Sequence, residues 1–121
     1  MKKILLVEDE IPYIKLLHNK LVAAGYEVIE AYNGKIGLET AIREKPDLII
    51  LDIRMPLMDG LTMLKKLRED PWGKDTYVTI LTNLDDSRNI SNALNNKLSR
   101  YLIKSDSTLN SVIEEVKMLL R

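Results

Sequence analysis

Five short apolar runs alternate along this chain with stretches whose apolar residues recur at helical spacing. The strand-like runs are 4–7, 26–32, 47–52, 77–81 and 101–103, and the helix-like stretches are 11–24, 35–45, 61–68, 85–98 and 109–120. Strict alternation of this kind predicts a parallel sheet with right-handed crossovers and helices on both faces. We therefore predict an α/β fold, a doubly wound (βα)5 three-layer sandwich.

The apolar content of the five runs predicts where each strand lies in the sheet. The first, third and fourth runs are the most continuously apolar, whereas the second is mixed and the fifth is short. Strands buried on both faces belong at the centre of a parallel sheet, and mixed or short strands belong at its edges. The order 2-1-3-4-5 satisfies this and places the switch point of the sheet between the first and third strands.

Asp52 directly follows the four apolar residues 48–51 and therefore lies at the carboxyl end of a buried strand. Ligands of open α/β sheets bind just beyond these strand ends, which makes Asp52 a candidate site residue. Asp is also favoured in turns, and Pro56, Asp59 and Gly60 follow closely, so a simple turn role is the alternative.

Length and charge restrict the classes of protein that this chain can belong to. With 121 residues, we expect one domain spanning 1–121. Lys plus Arg and Asp plus Glu both number 18, so no net basic field favours nucleic acid or anionic membrane, and we expect neither as a direct partner. The apolar runs are too short for a membrane span or a signal peptide, which predicts a cytoplasmic protein.

The composition also limits the possible metal chemistry. The chain has no cysteine and one histidine, His18, which excludes thiolate catalysis, cysteine-ligated zinc and a histidine-rich metal site. Any bound cation must therefore have oxygen ligands, as magnesium, calcium and manganese do.

Charged and polar residues end or directly follow four of the five strand-like runs. Glu8 and Asp9 follow the first, Asp52 is the last residue of the third, Thr82 follows the fourth and Lys104 follows the fifth. Parallel strands lie about 5 Å apart, so these side chains can converge at one edge of the sheet. Clustered carboxylates repel one another unless a cation lies among them, and we predict that this cation is Mg2+. A carboxylate beside a metal, a lysine and a hydroxyl can act as a nucleophile toward a phosphoryl group.

The same residues resemble the signature of bacterial response-regulator receiver domains, the CheY-like proteins of two-component signalling. The residues that carry the resemblance are Glu8, Asp9, Asp52, Met55–Gly60, Thr82, Tyr101 and Lys104, and the match covers essentially the whole chain. The resemblance implies a flavodoxin-like fold with strand order 2-1-3-4-5. The order expected from the apolar content of the strands is consistent with that of the family.

The resemblance also assigns roles to the acids. Asp52 would be the phosphoacceptor, and Asp9 would bind Mg2+ directly together with Asp52. Glu8 would support the ion through water, and the backbone carbonyl of Arg54 would complete the metal site.

On the opposite side of the pocket, Lys104 would pair with the phosphoryl group and Thr82 would donate a hydrogen bond to it. Tyr101 would be the aromatic switch that turns inward as Thr82 moves. Each of these residues also has a plain structural interpretation, such as strand packing or a solvated charge, but their joint spacing favours the site.

The function implied is a phosphoryl-accepting signalling switch in a phosphorelay. A histidine kinase or histidine phosphotransfer protein would supply the phosphoryl group, and a downstream effector protein would bind the face formed by the helix 85–98, the fifth strand and the last helix. The protein would be a monomer or a weak phosphorylation-dependent dimer. It would be no conventional enzyme, since it would catalyse only its own phosphoryl transfer and autodephosphorylation.

The sequence departs from the family pattern at three places. Ser105 follows Lys104 where the family usually has proline after a cis peptide bond, and a cis bond before serine costs about 3 kcal/mol. Asn83 stands where a small residue is usual, and Lys97 and Leu98 replace a common Gly-Ala pair.

Three rival functions follow from the same residues. A pseudo-receiver, an interaction module that is not phosphorylated, is the main alternative, since Ser105 and Asn83 are unusual. A flavin-binding electron carrier would need a Gly-, Ser- and Thr-rich loop where Glu8, Asp9 and Glu10 stand. An aspartate-dependent phosphatase would need an acid where Arg54 stands.

Overall fold

The computed structural model describes residues 1–83, 99–104 and 108–121, and these residues form five strands, four helices and one short 3-10 helix. The strands are β1 (Lys3–Val7), β2 (Glu27–Ala31), β3 (Leu48–Asp52), β4 (Tyr77–Thr82) and β5 (Ser99–Ile103). The helices are α1 (Ile11–Ala23), α2 (Gly34–Glu44), α3 (Gly60–Glu69) and α4 (Leu109–Leu119), with a short 3-10 helix at Gly73–Asp75. The predicted helix 85–98 lies outside the described residues.

The five strands are parallel and lie in the order β2-β1-β3-β4-β5. This confirms the predicted fold, including the placement of the mixed strand β2 and of β5 at the two edges. β5 is longer than predicted, since it begins at Ser99. The whole of β3 is buried, as its continuous apolar sequence requires at the centre of a sheet.

Alternate residues of the central strands point to opposite faces of the sheet. Leu5 and Val7 of β1 pack on the side of α2 and α3, whereas Ile4 and Leu6 pack on the side of α1 and α4. The sheet is therefore the middle of three layers, as predicted. Trp72 packs against the α2 and α3 side of the sheet.

Local sequence signals explain where the helices begin. The side chains of Asn33, Asp59 and Thr108 each accept a hydrogen bond from the backbone N–H three residues later and so cap α2, α3 and α4. The first helix starts differently: Glu10 is its cap residue, Pro12 lies in its first turn, and the Glu10 side chain makes no capping bond. The Glu10 carboxylate is thus available for other contacts. Among the described residues, no helix is long and apolar enough to cross a membrane.

Candidate functional site

The register of the sheet brings four predicted site residues together at the carboxyl ends of the strands. Asp52 and Thr82 are the last residues of β3 and β4, and Glu8 and Lys104 directly follow β1 and β5. Val7 pairs with Leu51, and Thr82 pairs with Ile103. These four side chains therefore belong to the same end of neighbouring strands.

Asp52 lies in a buried and closely packed position. It is only 6% exposed, and its Oδ1 accepts a hydrogen bond of 2.8 Å from the backbone N–H of Ile53. Gly60 packs on the backbone of Asp52 so closely that an added Cβ would lie 2.1 Å from the Asp52 carbonyl oxygen. Burial raises the pKa of Asp52, and hydrogen bonding to Glu8, the charge of Lys104 and the Ile53 N–H offset only part of this rise.

Lys104 brings a cation into the centre of the site. Its Nζ lies 2.6 Å from Glu8 Oε1, 3.4 Å from Glu10 Oε1 and 3.6 Å from Asp52 Oδ2. Burial by itself lowers the pKa of Lys104, but the hydrogen bond with Glu8 and the charges of Asp52, Glu8 and Glu10 outweigh it, so the pKa is raised. Lys104 therefore stays protonated and is held by carboxylates.

Glu8 is the most strongly perturbed acid of the site. Burial and a hydrogen bond with Asp52 raise its pKa to about 8, although the Lys104 ammonium acts in the opposite direction. Its Oε1 accepts from Lys104, whereas its buried Oε2, when Glu8 is ionised, meets no hydrogen-bond donor in the described part of the chain. A buried carboxylate oxygen without a donor is a position that a cation or an ordered water would satisfy.

The acids that converge are Glu8, Glu10 and Asp52, which each offer an oxygen within 4.8 Å of the others. Together with the donor-free Glu8 Oε2, this all-oxygen set fits a hard divalent cation such as Mg2+. Asp9 is exposed and is not part of this group of three among the described residues. Arg54, whose backbone carbonyl we predicted as a ligand, is exposed in the loop after β3.

Glu10 belongs to this group although it was not predicted as a site residue. The signal was available, since Glu10 lies two residues after Glu8 and directly before α1. Its carboxylate makes no capping bond and points instead toward Lys104.

Thr82 and Tyr101 lie on the β4 and β5 side of the site. Thr82 is fully buried, and its Oγ1 donates a hydrogen bond of 3.3 Å to the backbone oxygen of Asn83. Tyr101 is 44% exposed and pairs with Ile80 across the two strands. The Tyr101 side chain is thus partly open to solvent. The peptide bond between Lys104 and Ser105, and Lys97 and Leu98, lie outside the described residues.

Comparisons with known proteins agree with this geometry. The family model described as "Response regulator receiver domain" matches residues 4–116. Response regulator PleD of Caulobacter vibrioides is 39% identical over 102 residues, which cover 84% of this chain and 22% of that protein. The DNA-binding dual master transcriptional regulator RpaA of Synechocystis is 32% identical over 121 residues, which cover 100% of this chain and 50% of that protein.

A solved structure is similar to this chain in fold as well as in sequence. Response regulator TrrA of Thermotoga maritima, in complex with Mg(2+)-BeF, has a TM-score of 0.81 and 33% identity, with 98% of this chain and 99% of that chain covered. The chain spans half or less of the length of the two curated relatives named above. Since one of them is named as DNA-binding, the comparisons do not support our expectation that nucleic acid is excluded as a partner.

Proposed function

The chain belongs to the family of response regulator receiver domains, and from this premise we propose that it is a phosphoryl-accepting switch with Asp52 as the phosphoacceptor. A histidine kinase or a histidine phosphotransfer protein would supply the phosphoryl group in a reaction that depends on Mg2+. We propose residues 1–121 as one receiver domain.

The contact of Lys104 with the acids around Asp52 carries this proposal. A buried carboxylate with an ammonium 3.6 Å away is placed to attack phosphorus while that ammonium faces the phosphoryl oxygens. In this step a bond forms between an Asp52 carboxylate oxygen and phosphorus, and the bond between phosphorus and the donor breaks. The donor leaves with the bonding electron pair, and Asp52 becomes an aspartyl phosphate.

The backbone around Asp52 supports the attack by keeping the carboxylate in place. The N–H of Ile53 holds Oδ1, and Gly60 N donates a hydrogen bond of 2.7 Å to the carbonyl of Ile53. A nucleophile that is already oriented loses little entropy when it reacts. We infer that the loop after β3 serves to hold Asp52 in this orientation.

Mg2+ would be held by Asp9, Asp52, the backbone carbonyl of Arg54 and, through water, Glu8, and when bound it would offset the negative charge on the phosphoryl oxygens. Glu10 is an additional candidate for this cation, since its oxygen lies with those of Glu8 and Asp52. Lys104 would then shift its hydrogen bonds from Glu8 toward the phosphoryl group.

Thr82 and Tyr101 would carry the signal away from the site. The Thr82 hydroxyl, which donates to Asn83, would turn to the phosphoryl group, and the Tyr101 ring would then move inward. We propose that this changes the binding of a downstream effector protein at the face formed by residues 85–98, β5 and α4. The protein would act as a switch whose own chemistry is limited to its phosphorylation and autodephosphorylation.

Intact mass spectrometry after incubation with acetyl phosphate and MgCl2 tests the proposal. We expect one labile phosphoryl adduct on the unmodified protein, and none on Asp52→Asn or when EDTA replaces magnesium. A protein that binds magnesium but takes up no phosphoryl group from acetyl phosphate would contradict phosphoacceptance from small donors and favour the pseudo-receiver. An adduct that persists in Asp52→Asn would place the phosphoacceptor elsewhere.

A further inference from the structure

The aromatic ring of Tyr13 lies against the ammonium of Lys104. The distance from Nζ to the ring centroid is 4.7 Å, which is within the range of a cation–π contact. Tyr13 is half-buried and packs against the apolar residues between α1, α4 and the sheet. Tyr13 is not among the motif positions that predicted the site.

The start of α1 explains how Tyr13 reaches Lys104. Residues three apart in a helix lie on the same side, and Glu10 and Tyr13 are separated by three positions across the first turn. The Glu10 carboxylate lies 3.4 Å from the same ammonium. Pro12, between them, favours the helical backbone at this turn. The beginning of α1 thus supplies both a charge and an aromatic face to Lys104.

Tyr13 differs from the other neighbours of Lys104 in one respect. Glu8, Glu10 and Asp52 are carboxylates, and each would be drawn toward a divalent cation or its bound water. An aromatic ring does not coordinate Mg2+, so its contact with the ammonium is independent of the metal. Burial raises the pKa of the Tyr13 hydroxyl, with the neighbouring acids adding to the effect and Lys104 opposing it, so the ring stays neutral.

The Lys104 ammonium beside the ring is also largely shielded from solvent. The side chain of Lys104 is only 10% exposed, and Tyr13 lines, with Glu8 and Asp52, a cavity of about 10 Å³ beside the site. An ammonium that is shielded from water interacts more strongly with a nearby anion than a solvated one does.

We propose that Tyr13 is a positioning residue for the phosphoryl-transfer reaction, because its ring face holds the Lys104 ammonium beside Asp52 while the surrounding acids turn to the metal. This inference rests on the proposed function. It adds a residue of α1 to the chemistry of the strand ends.

Three variants separate the ring face from other effects of the side chain. Tyr13→Phe retains the ring, and Tyr13→Leu retains an apolar side chain but removes the ring. Tyr26→Leu is the matched control. Tyr26 packs against the same apolar cluster but directly precedes β2, at the amino end of that strand. Circular dichroism verifies that each variant is folded.

Two readouts are measured on each variant. The first is the NMR chemical shift of the Lys104 side-chain methylene protons in the unphosphorylated protein, assigned with Lys104→Arg. The second is the rate of phosphorylation by acetyl phosphate with saturating magnesium. We expect Tyr13→Leu to abolish the upfield ring-current shift and to slow phosphorylation by about 3- to 30-fold, the range of a cation–π contact. Tyr13→Phe and Tyr26→Leu should retain both the shift and the rate.

The following results would each contradict a part of the inference. A Lys104 shift that is unchanged in Tyr13→Leu would show that the ring does not hold the ammonium. A lost shift with an unchanged rate, or a slow Tyr13→Phe variant with an intact shift, would overturn the positioning role. A wild-type protein that shows the shift but never reacts would refute the proposed function and with it the kinetic role, while the ring contact would stand.

Discussion

The ammonium nitrogen of Lys104 lies 2.6 Å from Oε1 of Glu8, although 96 residues separate the two in the chain. This is shorter than the 3.6 Å between the same nitrogen and Oδ2 of Asp52. Without a phosphoryl group, Lys104 is thus paired with the carboxyl group of Glu8, beside the phosphoacceptor. Glu8 holds the cation close to Asp52 and leaves Asp52 with the weaker contact.

Removal of the Lys104 charge should have opposite effects on the reaction and on metal binding. In Lys104→Ala, we expect phosphorylation by acetyl phosphate to slow by at least about tenfold, because no ammonium offsets the charge on the phosphoryl oxygens. We expect Mg2+ to bind several-fold more tightly, because the acids no longer have an internal cation. Isothermal titration calorimetry and mass spectrometry measure the two effects.

Lys3→Ala is the matched control, since Lys3 pairs with Glu44 and Glu27 at the opposite edge of the sheet. It should leave magnesium affinity and reaction rate unchanged. Weaker magnesium binding in Lys104→Ala would show that Lys104 does not compete with the cation for the acids.

The raised pKa of Glu8 predicts how stability depends on pH when no metal is bound. The ordinary value for this carboxyl is 4.5, and in the folded protein the pKa is about 8. Between these values the folded protein binds a proton that the unfolded chain has lost, so the free energy of unfolding falls as pH rises from about 4.5 to about 8. The raised pKa of Asp52 acts in the same direction.

Urea unfolding in EDTA across this pH range measures the slope. Glu8→Gln keeps the size of the side chain and removes its titration, so we expect a flatter profile for this variant. Saturating Mg2+ should also flatten the profile, because a bound cation favours ionised acids. Identical slopes for wild type and Glu8→Gln in EDTA would show that Glu8 titrates normally.

Asp9 and Thr82 are predicted to differ in their contribution to magnesium binding. We expect Asp9→Ala to weaken magnesium binding by about tenfold or more, and Thr82→Ala by less than about threefold, since Thr82 is proposed to contact the phosphoryl group and not the ion. Calorimetric titration with MgCl2 measures both. Equal losses would mean that the two roles are misassigned.

Glu10→Gln is the comparison that the structure adds to this set. The Glu10 side chain is 56% exposed, so solvent screens its charge, and we expect a loss smaller than that of Asp9→Ala. A larger loss in Glu10→Gln would make Glu10, rather than Asp9, the principal ligand from this segment.

Gly60 is predicted to tolerate no side chain. A Cβ there would lie 2.1 Å from the carbonyl oxygen of Asp52, so Gly60→Ala should destabilise the protein by about 1–3 kcal/mol and slow phosphorylation. Gly25→Ala is the matched control: Gly25 has φ of 100° and open space around it, so only backbone strain, about 1 kcal/mol or more, should result. Thermal unfolding and the acetyl phosphate assay distinguish the two, and an unaffected reaction in Gly60→Ala would contradict the positioning of Asp52 by this loop.

Much of the fold could be predicted because it depends on patterns that lie close together in sequence. The continuous run 48–51 identified a strand buried on both faces, and the mixed composition of 26–32 identified an edge strand. The strand ends then predicted that Glu8, Asp52, Thr82 and Lys104 share one edge, and the register of the sheet places them there.

The contacts within the site were less predictable. Three consecutive acids, Glu8, Asp9 and Glu10, follow β1, and the sequence does not say which of them turns inward. In the structure, Glu8 is buried against Lys104, Glu10 approaches the same ammonium, and Asp9 is exposed. The outcome depends on the backbone where β1 ends and α1 begins, a geometry that no residue pattern specifies.

The sequence by itself determined which strands are central, which lie at the lateral edges, and that the charged residues meet at the carboxyl ends of the strands, because hydrophobic periodicity and parallel topology act over whole elements. Only the tertiary structure decided that Lys104 pairs with Glu8, Glu10 and the ring of Tyr13. These contacts link Lys104, directly after β5, to the start of α1. A buried ammonium has lost most of its water, so it is stable only where carboxylate oxygens or an aromatic face lie close enough to contact it.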